Sequence, residues 1–169
     1  MANIMDYLSW RGDLSFAQDP FNEADAVVLA RLSYLQLDGI VDKSFDESMT
    51  LREAAEQFLR DKDRVKGILW KDDDELLRTV GESERFGHCP VSCYVNVVED
   101  DIQMQFSAMI IRLADDLHYV GFRGTDNSIV GWQEDFNMFC TFPVPAHISA
   151  LNYLIFAAQH YDGDFIVGG

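Results

Sequence analysis

Positive charge is scarce in this chain. It has 13 lysine and arginine residues against 29 aspartate and glutamate residues, which gives a formal net charge of −16 and a pI near 4.3. A surface of that sign repels nucleic acids and anionic membranes at long range, because both carry negative charge. We therefore expect no nucleic-acid partner.

Long apolar runs are also missing. The sequence contains no stretch of eighteen or more apolar residues, the length that a membrane-spanning helix needs, so no membrane span is expected. Residues 1–6, Met-Ala-Asn-Ile-Met-Asp, lack the basic and apolar regions of a secretory signal peptide. The expected location of the protein is the cytoplasm.

Cysteine is rare, and no metal motif accompanies it. Cys89, Cys93 and Cys140 cannot all pair within the chain, so we expect reduced thiols. Cys89 and Cys93, with His88 beside them, lack a second ligand pair at zinc spacing. The acidic run at 72–75 lacks the alternating acids and central glycine of a calcium-binding EF-hand, and is predicted to be the solvated start of a helix. No metal and no cofactor are predicted.

The apolar content is enough for one packed domain, since 48% of the residues are hydrophobic and 12% are aromatic. Apolar residues at three- and four-residue intervals predict a helix over 22–36. Thr50, with a glutamate three residues later, predicts a capping box that opens a second helix over 51–60. A third helix is predicted at 73–80. Residues 1–86 are therefore expected to be mainly helical.

From residue 87 onward a sheet is expected, because the apolar period changes to two. Three strands separated by two acidic turns predict an antiparallel meander, at 91–98, 104–113 and 117–122. Helical spacing then returns and a last strand follows at 164–167. A helical crossover joins parallel neighbours, so this strand is expected to lie parallel to 117–122. The predicted fold class is α/β, with the meander leading into a parallel β-helix-β unit.

Each helix of this crossover carries an apolar stripe that we expect to face the core. The stripe of the first helix consists of Ile129, Trp132, Phe136 and Phe139. The stripe of the second, over 147–160, consists of Ile148, Leu151, Leu154, Ile155 and Ala158.

The segment Phe122-Arg123-Gly124-Thr125 closes a strand and opens a helix, and Trp132 and Asp135 follow in that helix. Gly124 permits a sharp exit from the strand, and Thr125 offers a backbone N–H and a hydroxyl at the carboxyl edge of the sheet. Strand 164–167 runs into Gly168-Gly169. A strand that ends in glycine is how a G-x-S-x-G nucleophile elbow begins.

These motifs resemble those of the class 3 (fungal-type) lipases of the α/β-hydrolase superfamily, over about residues 117–169. A narrower resemblance, to a bacterial family of α/β-hydrolase-like proteins, also includes the opening Asp6-Tyr7-Leu8-Ser9-Trp10-Arg11-Gly12-Asp13. The resemblance implies a partial α/β-hydrolase sheet, with the catalytic serine just after the glycine and the acid and histidine later still. It implies that this chain is an N-terminal fragment that carries the oxyanion side of a site and no nucleophile.

The resemblance gives Thr125 the oxyanion-hole role, because a serine or threonine at this place serves the oxyanion in class 3 lipases. Arg123 is expected to be a structural cation that bonds carbonyls or an acid under the site, and Asp135 to hold a neighbouring loop. The competing interpretation stays open: Gly124, Thr125, Asp126 and the following asparagine would form a helix-capping turn with no catalytic part.

Two functions follow as hypotheses. The first is the N-terminal part of a serine hydrolase, a carboxylesterase or lipase-like enzyme that acts on a small-molecule ester or lipid-like substrate and is inactive as this chain alone. The alternative is a non-catalytic binding or scaffold protein on the same fold. In either case the strand at 164–167 would lie at an exposed sheet edge, through which homo-oligomers are possible.

Overall fold

The computed structural model describes residues 3–124 and 129–169, without the side chains at positions 129, 130, 134 and 135. These residues form a mixed α/β structure with a five-stranded, mostly antiparallel open sheet. The helices are α1 (Ile4–Arg11), α2 (Glu23–Leu32), α3 (Leu51–Arg60), α4 (Lys62–Lys66), α5 (Asp73–Glu82), α6 (Ile129–Met138) and α7 (Pro145–His160). The strands are β1 (Ser48–Thr50), β2 (Pro90–Glu99), β3 (Met104–Ala114), β4 (Leu117–Phe122) and β5 (Asp164–Gly168).

Side-chain caps fix where the N-terminal helices begin. The hydroxyl of Thr50 accepts the N–H of Glu53, and the Glu53 carboxylate accepts the N–H of Thr50. This capping box opens α3 at the predicted residue, and the predicted end at residue 60 is also confirmed. Asn22 and Asp25 form a second box, so α2 begins at Glu23, but it ends at Leu32, short of the predicted end at residue 36.

The predicted meander is confirmed. Strands β2, β3 and β4 pair antiparallel in chain order. The parallel pairing of β5 with β4 is also confirmed, with Leu117 opposite Asp164 and Gly121 opposite Gly168. The short strand β1, which the sequence pattern does not predict, extends the sheet beyond β2. The order is therefore β1-β2-β3-β4-β5, which places β5 at one edge.

The sheet separates two groups of buried side chains. Ile111 and Tyr119 pack in a cluster with residues of α2, α3 and α5. Their chain neighbours Ile110 and Val120 pack in a second cluster with Tyr153 and other residues of α7. This alternation is the period of two that predicts the strands, because successive side chains of a strand point to opposite faces.

The expected orientation of α6 is wrong. Trp132 is 61% exposed, Phe136 71% and Phe139 88%, so these three residues of the predicted stripe lie on the surface, while the side chain of Ile129 lies outside the description. Phe142, just beyond the helix, is 86% exposed. The physical reason is that no other described part of the chain covers these side chains. The three- and four-residue spacing correctly places them on one side of the helix, but spacing does not show whether that side is buried.

The apolar stripe predicted to face the core on α7 is wrong except at Leu154, which is partly buried and packs against the second cluster. Ile148, Leu151 and Ile155 are exposed, whereas Tyr153 and Ala157 face the sheet. The reason lies in side-chain size and shape. Alanines at 146, 150 and 157 let the helix approach the strands closely, and Tyr153 fits between the rings of β3 and β4. Among the described residues, no helix combines the length and the apolar character needed to cross a bilayer.

The predicted helix at 73–80 is confirmed as α5, but the prediction of a solvated start is wrong for Asp73. Asp73 is buried and accepts a hydrogen bond from Nε of Arg31 at 2.7 Å. The Arg31 guanidinium lies over the ring of Trp70, 4.5 Å from its centroid. The pairing of Asp73 with a distant cation allows this aspartate to be buried while its neighbours stay in solvent.

A second buried charge pair links the N-terminal segment to the start of the sheet. The side chains of Arg85 and Asp25 have no exposed surface, and Nε of Arg85 donates to Oδ1 of Asp25 at 2.6 Å. Arg85 also donates to the carbonyls of Leu14 and Asp19. The Tyr7 hydroxyl donates to Asp25 at 2.8 Å. Tyr7 belongs to the opening Asp6–Asp13 motif, so this motif has a structural part in the fold.

Candidate functional site at the carboxyl ends of β4 and β5

The carboxyl ends of β4 and β5 lie side by side, because the two strands are parallel and in register up to Gly121 and Gly168. Gly168 packs on the phenol of Tyr119, and Gly169 lies against the carbonyl of Phe122. A Cβ atom at either glycine would overlap these atoms. The two strand exits can therefore approach this closely only because both positions lack a side chain.

Gly124, two residues after the end of β4, lies next to the side chain of Tyr34 from the N-terminal half. A Cβ atom at Gly124 would lie 2.7 Å from the hydroxyl oxygen of Tyr34, closer than ordinary contact allows. Tyr34 and Asp38 also line a cavity of about 410 Å³ together with residues of α3, α4 and the loops beside them. The segment after α2 thus forms one wall beside the exit of β4.

Arg123 is held at two points. Its backbone N–H donates to the carbonyl of Ser107 at 3.0 Å, and its Nη2 donates to Oδ1 of Asn96 at 2.9 Å. Nδ2 of Asn96 in turn donates to Oδ2 of Asp38 at 2.8 Å. The side chain of Arg123 therefore donates to an amide oxygen, and the carboxylate of Asp38 is the next group in this hydrogen-bond chain. Its Nε is buried without a hydrogen-bond partner in the described structure.

The structure does not place the remaining predicted site residues beside Arg123, Gly124, Gly168 and Gly169. Thr125 and Asp126 lie outside the described residues. Trp132 is on the exposed face of α6, and Asp135 lies in α6 with its side chain outside the description. Of the predicted residues, the structure brings Arg123, Gly124, Gly168 and Gly169 together at one edge of the sheet.

Burial raises the pKa of two tyrosines near this edge. It raises the pKa of Tyr119 to about 12, and its hydroxyl donates to the carbonyl of Ala26 at 3.4 Å. Burial also raises the pKa of Tyr94, whose hydroxyl donates to the carbonyl of Leu35 at 3.3 Å. A phenol with a raised pKa stays protonated at neutral pH and can donate a hydrogen bond, but it is a poor general base.

The histidines lie away from the strand exits or in structural contacts. His118 is near the amino end of β4, stacked between the rings of Tyr161 and Phe165, with Nε2 3.1 Å from the carbonyl of Asp162. His88 pairs with Glu84 and His160 with Asp46 on the surface. His147 accepts the N–H of Val144 at the start of α7. These contacts give each histidine a local structural partner.

The Mbeg1-like family model matches residues 80–169, a little over half of the chain. The chain belongs to the Mbeg1-like family. The Mbeg1-like match begins within α5 and spans the sheet from β2 to β5, so it includes every predicted site residue. No curated protein and no solved structure matches the chain.

The residues that sequence reasoning missed are Tyr34, Asp38 and Asn96. They lie 27 or more positions before the residues they contact, so local periodicity carries no information about these contacts. Asn96 does give one signal. It is an amide between Val95 and Val97, so the period of two places it on the face opposite these valines.

Proposed function

We propose that this Mbeg1-like chain is the N-terminal part of a serine hydrolase with an α/β-hydrolase arrangement. The reaction would be hydrolysis of a small-molecule ester or a lipid-like ester, without a cofactor. The observation that carries the proposal is the adjacency of the carboxyl ends of two parallel strands, with Gly124 two residues after β4 and Gly169 directly after β5. In open α/β sheets, the carboxyl ends of the strands are where ligands bind.

The proposed chemistry divides between the two exits. A serine following Gly169 would attack the ester carbonyl, and its proton would pass to a histidine base that an acid orients. Negative charge then collects on the carbonyl oxygen. The backbone N–H and hydroxyl of Thr125, at the exit of β4, would donate to that oxygen. Loss of one such donor costs about 3–4 kcal/mol of transition-state stabilisation.

The described geometry supports this division in one further respect. The exit of β4 is anchored by the Ser107 and Asn96 contacts of Arg123, and Tyr34 packs against Gly124. Fixed donors stabilise a transition state more than mobile ones, because they need no reorganisation during the reaction. A rigid exit is therefore what an oxyanion-binding turn after Gly124 requires.

A binding or scaffold role is the second candidate. It is favoured by the exposed rings of Trp132, Phe136, Phe139 and Phe142, which lie within one short stretch of the chain. Aromatic side chains are enriched at the centres of protein interfaces. A scaffold would use this surface without a nucleophile.

The test uses a form of the protein that extends beyond Gly169. Hydrolysis of short p-nitrophenyl esters that a serine-directed phosphonate abolishes is the expected result. Replacing Thr125 by Val should then lower kcat by roughly 100-fold or more and change KM little, since the hydroxyl acts mainly in the transition state. Thr141→Val, at an exposed position after α6, is the matched control. Absence of phosphonate-sensitive turnover would favour the scaffold.

A further inference from the structure

Asn96, Ser107 and Arg123 lie side by side across the sheet, on β2, on β3 and just after β4 respectively. Asn96 on β2 lies opposite Ser107 on β3, and the Ser107 carbonyl accepts the N–H of Arg123. Neighbouring strands are about 4.8 Å apart, so the backbone of Arg123 lies roughly 10 Å from β2. The long arginine side chain spans that distance and reaches Oδ1 of Asn96 at 2.9 Å.

The amide of Asn96 is oriented by charge. Its oxygen faces the Arg123 guanidinium and its NH2 group faces the carboxylate of Asp38, at 2.8 Å. A flipped amide would place NH2 against a cation that has only donors, and oxygen against a carboxylate that has only acceptors. Asp38 therefore fixes the orientation in which Asn96 can hold Arg123.

We infer that Asn96, oriented by Asp38, is a positioning residue that holds Arg123 and thereby the exit turn of β4. Arg123 immediately precedes Gly124 and Thr125, so restraint of its side chain restrains the segment that the proposed oxyanion hole needs. The catalytic part of this inference rests on the proposed hydrolase function. The positioning part does not, because it concerns only contacts within this chain.

The positioning part is tested on the 169-residue chain by NMR amide exchange. Asn96→Ala should accelerate exchange of the Arg123 N–H by about tenfold, since a hydrogen bond to a charged group is lost. Asn96→Asp combined with Asp38→Asn should retain slow exchange, because the new carboxylate accepts from the guanidinium and the new amide at position 38 donates to that carboxylate. Val98→Ala, an exposed position on the same strand, is the control and should leave the Arg123 amide unchanged.

Unchanged Arg123 exchange in Asn96→Ala would overturn the positioning role, whatever the activity of the protein. Faster exchange in Asn96→Ala together with slow exchange in the Asn96→Asp, Asp38→Asn double variant would support it, even if no form of the protein hydrolyses esters; in that case only the hydrolase proposal fails. In an active form, Asn96→Ala should lower kcat by about tenfold with KM nearly constant, and the Asn96→Asp, Asp38→Asn double variant should recover most of it. An unchanged kcat together with faster exchange would overturn the catalytic part.

Discussion

Replacing Asp25 by asparagine is the sharpest test of what joins α2 to the segment between α5 and β2. The Asp25 carboxylate receives two hydrogen bonds from Arg85 and one from Tyr7, and both members of the ion pair are fully buried. Burial by itself would lower the pKa of Arg85, but the hydrogen bonds and charge of Asp25 outweigh it, so the pKa is raised. The guanidinium therefore keeps its charge in the folded chain.

The expected loss is large because the Asp25→Asn substitution would leave that charge buried without a counter-charge. Removal of one partner from a buried pair costs about 3–5 kcal/mol. Asparagine keeps the shape of aspartate and one acceptor oxygen, but its NH2 group would face a donor of Arg85, so we expect a loss of at least about 3 kcal/mol. In a chain of 169 residues this corresponds to a fall in Tm of roughly 6–12 °C.

The assay is thermal and urea unfolding followed by circular dichroism. Arg85→Met should cost more than Asp25→Asn, because it also removes the donor to the carbonyls of Leu14 and Asp19. The double variant should be no less stable than Arg85→Met alone, since a neutral side chain at position 25 needs no cation. Glu56→Gln, in an exposed pair with Arg60, is the control and should change little. An Asp25→Asn loss below about 1 kcal/mol, or additive effects in the double variant, would refute the reasoning.

Three further outcomes are expected. The purified 169-residue chain should not hydrolyse short p-nitrophenyl esters, because it carries no nucleophile in an elbow context; turnover that a serine-directed phosphonate blocks would contradict this. In a titration with a disulfide reagent the native chain should show one fast thiol, the exposed Cys140, since burial raises the pKa of Cys89 to about 12 and of Cys93 to about 11; three fast thiols would show that the core opens readily. Light scattering should show self-association that Phe139→Ser and Phe142→Ser together reduce, because both rings are largely exposed; a monomer at high concentration would contradict it.

The sequence predicts the elements well where the signal is local. The period of two in β2, β3 and β4 and the capping box at Thr50 each depend on residues close in the chain, and the structure confirms them. The parallel pairing of β5 follows from a general rule about helical crossovers. These are the features for which local physics and the final fold agree.

The helix faces were not predictable in the same way. Apart from histidines, α7 has no charged residue, and its apolar residues lie on several sides. Spacing alone then offers more than one stripe, and the choice between them depends on which side chains fit the sheet. Small residues and one tyrosine fit, whereas Ile148, Leu151 and Ile155 remain outside.

The adjacent strand ends of the candidate site were predictable from the sequence, but the side chains that hold Arg123 and Asp25 in place were not. Glycines at the strand exits can be recognised in the sequence because close approach requires them. The partners of Arg123 and Asp25 lie 27 and 60 positions away, and only the folded chain brings them together. The same holds for Asp73, whose burial depends on Arg31, 42 positions away.

Exposed aromatic side chains on α6, on α7 and in the segment between them favour association, whereas the chain's net charge disfavours it. Five aromatic side chains there are more than half exposed: Trp132, Phe136, Phe139, Phe142 and Phe156. At about 200 Å² for each full ring, they present on the order of 700 Å² of surface, close to the roughly 800 Å² that each partner buries in a standard interface. A net charge of −16 repels a second copy at long range, but salt screens that repulsion while leaving apolar contact intact. Added salt should therefore strengthen association through these aromatic side chains, whereas it would weaken association through an interface held by ion pairs.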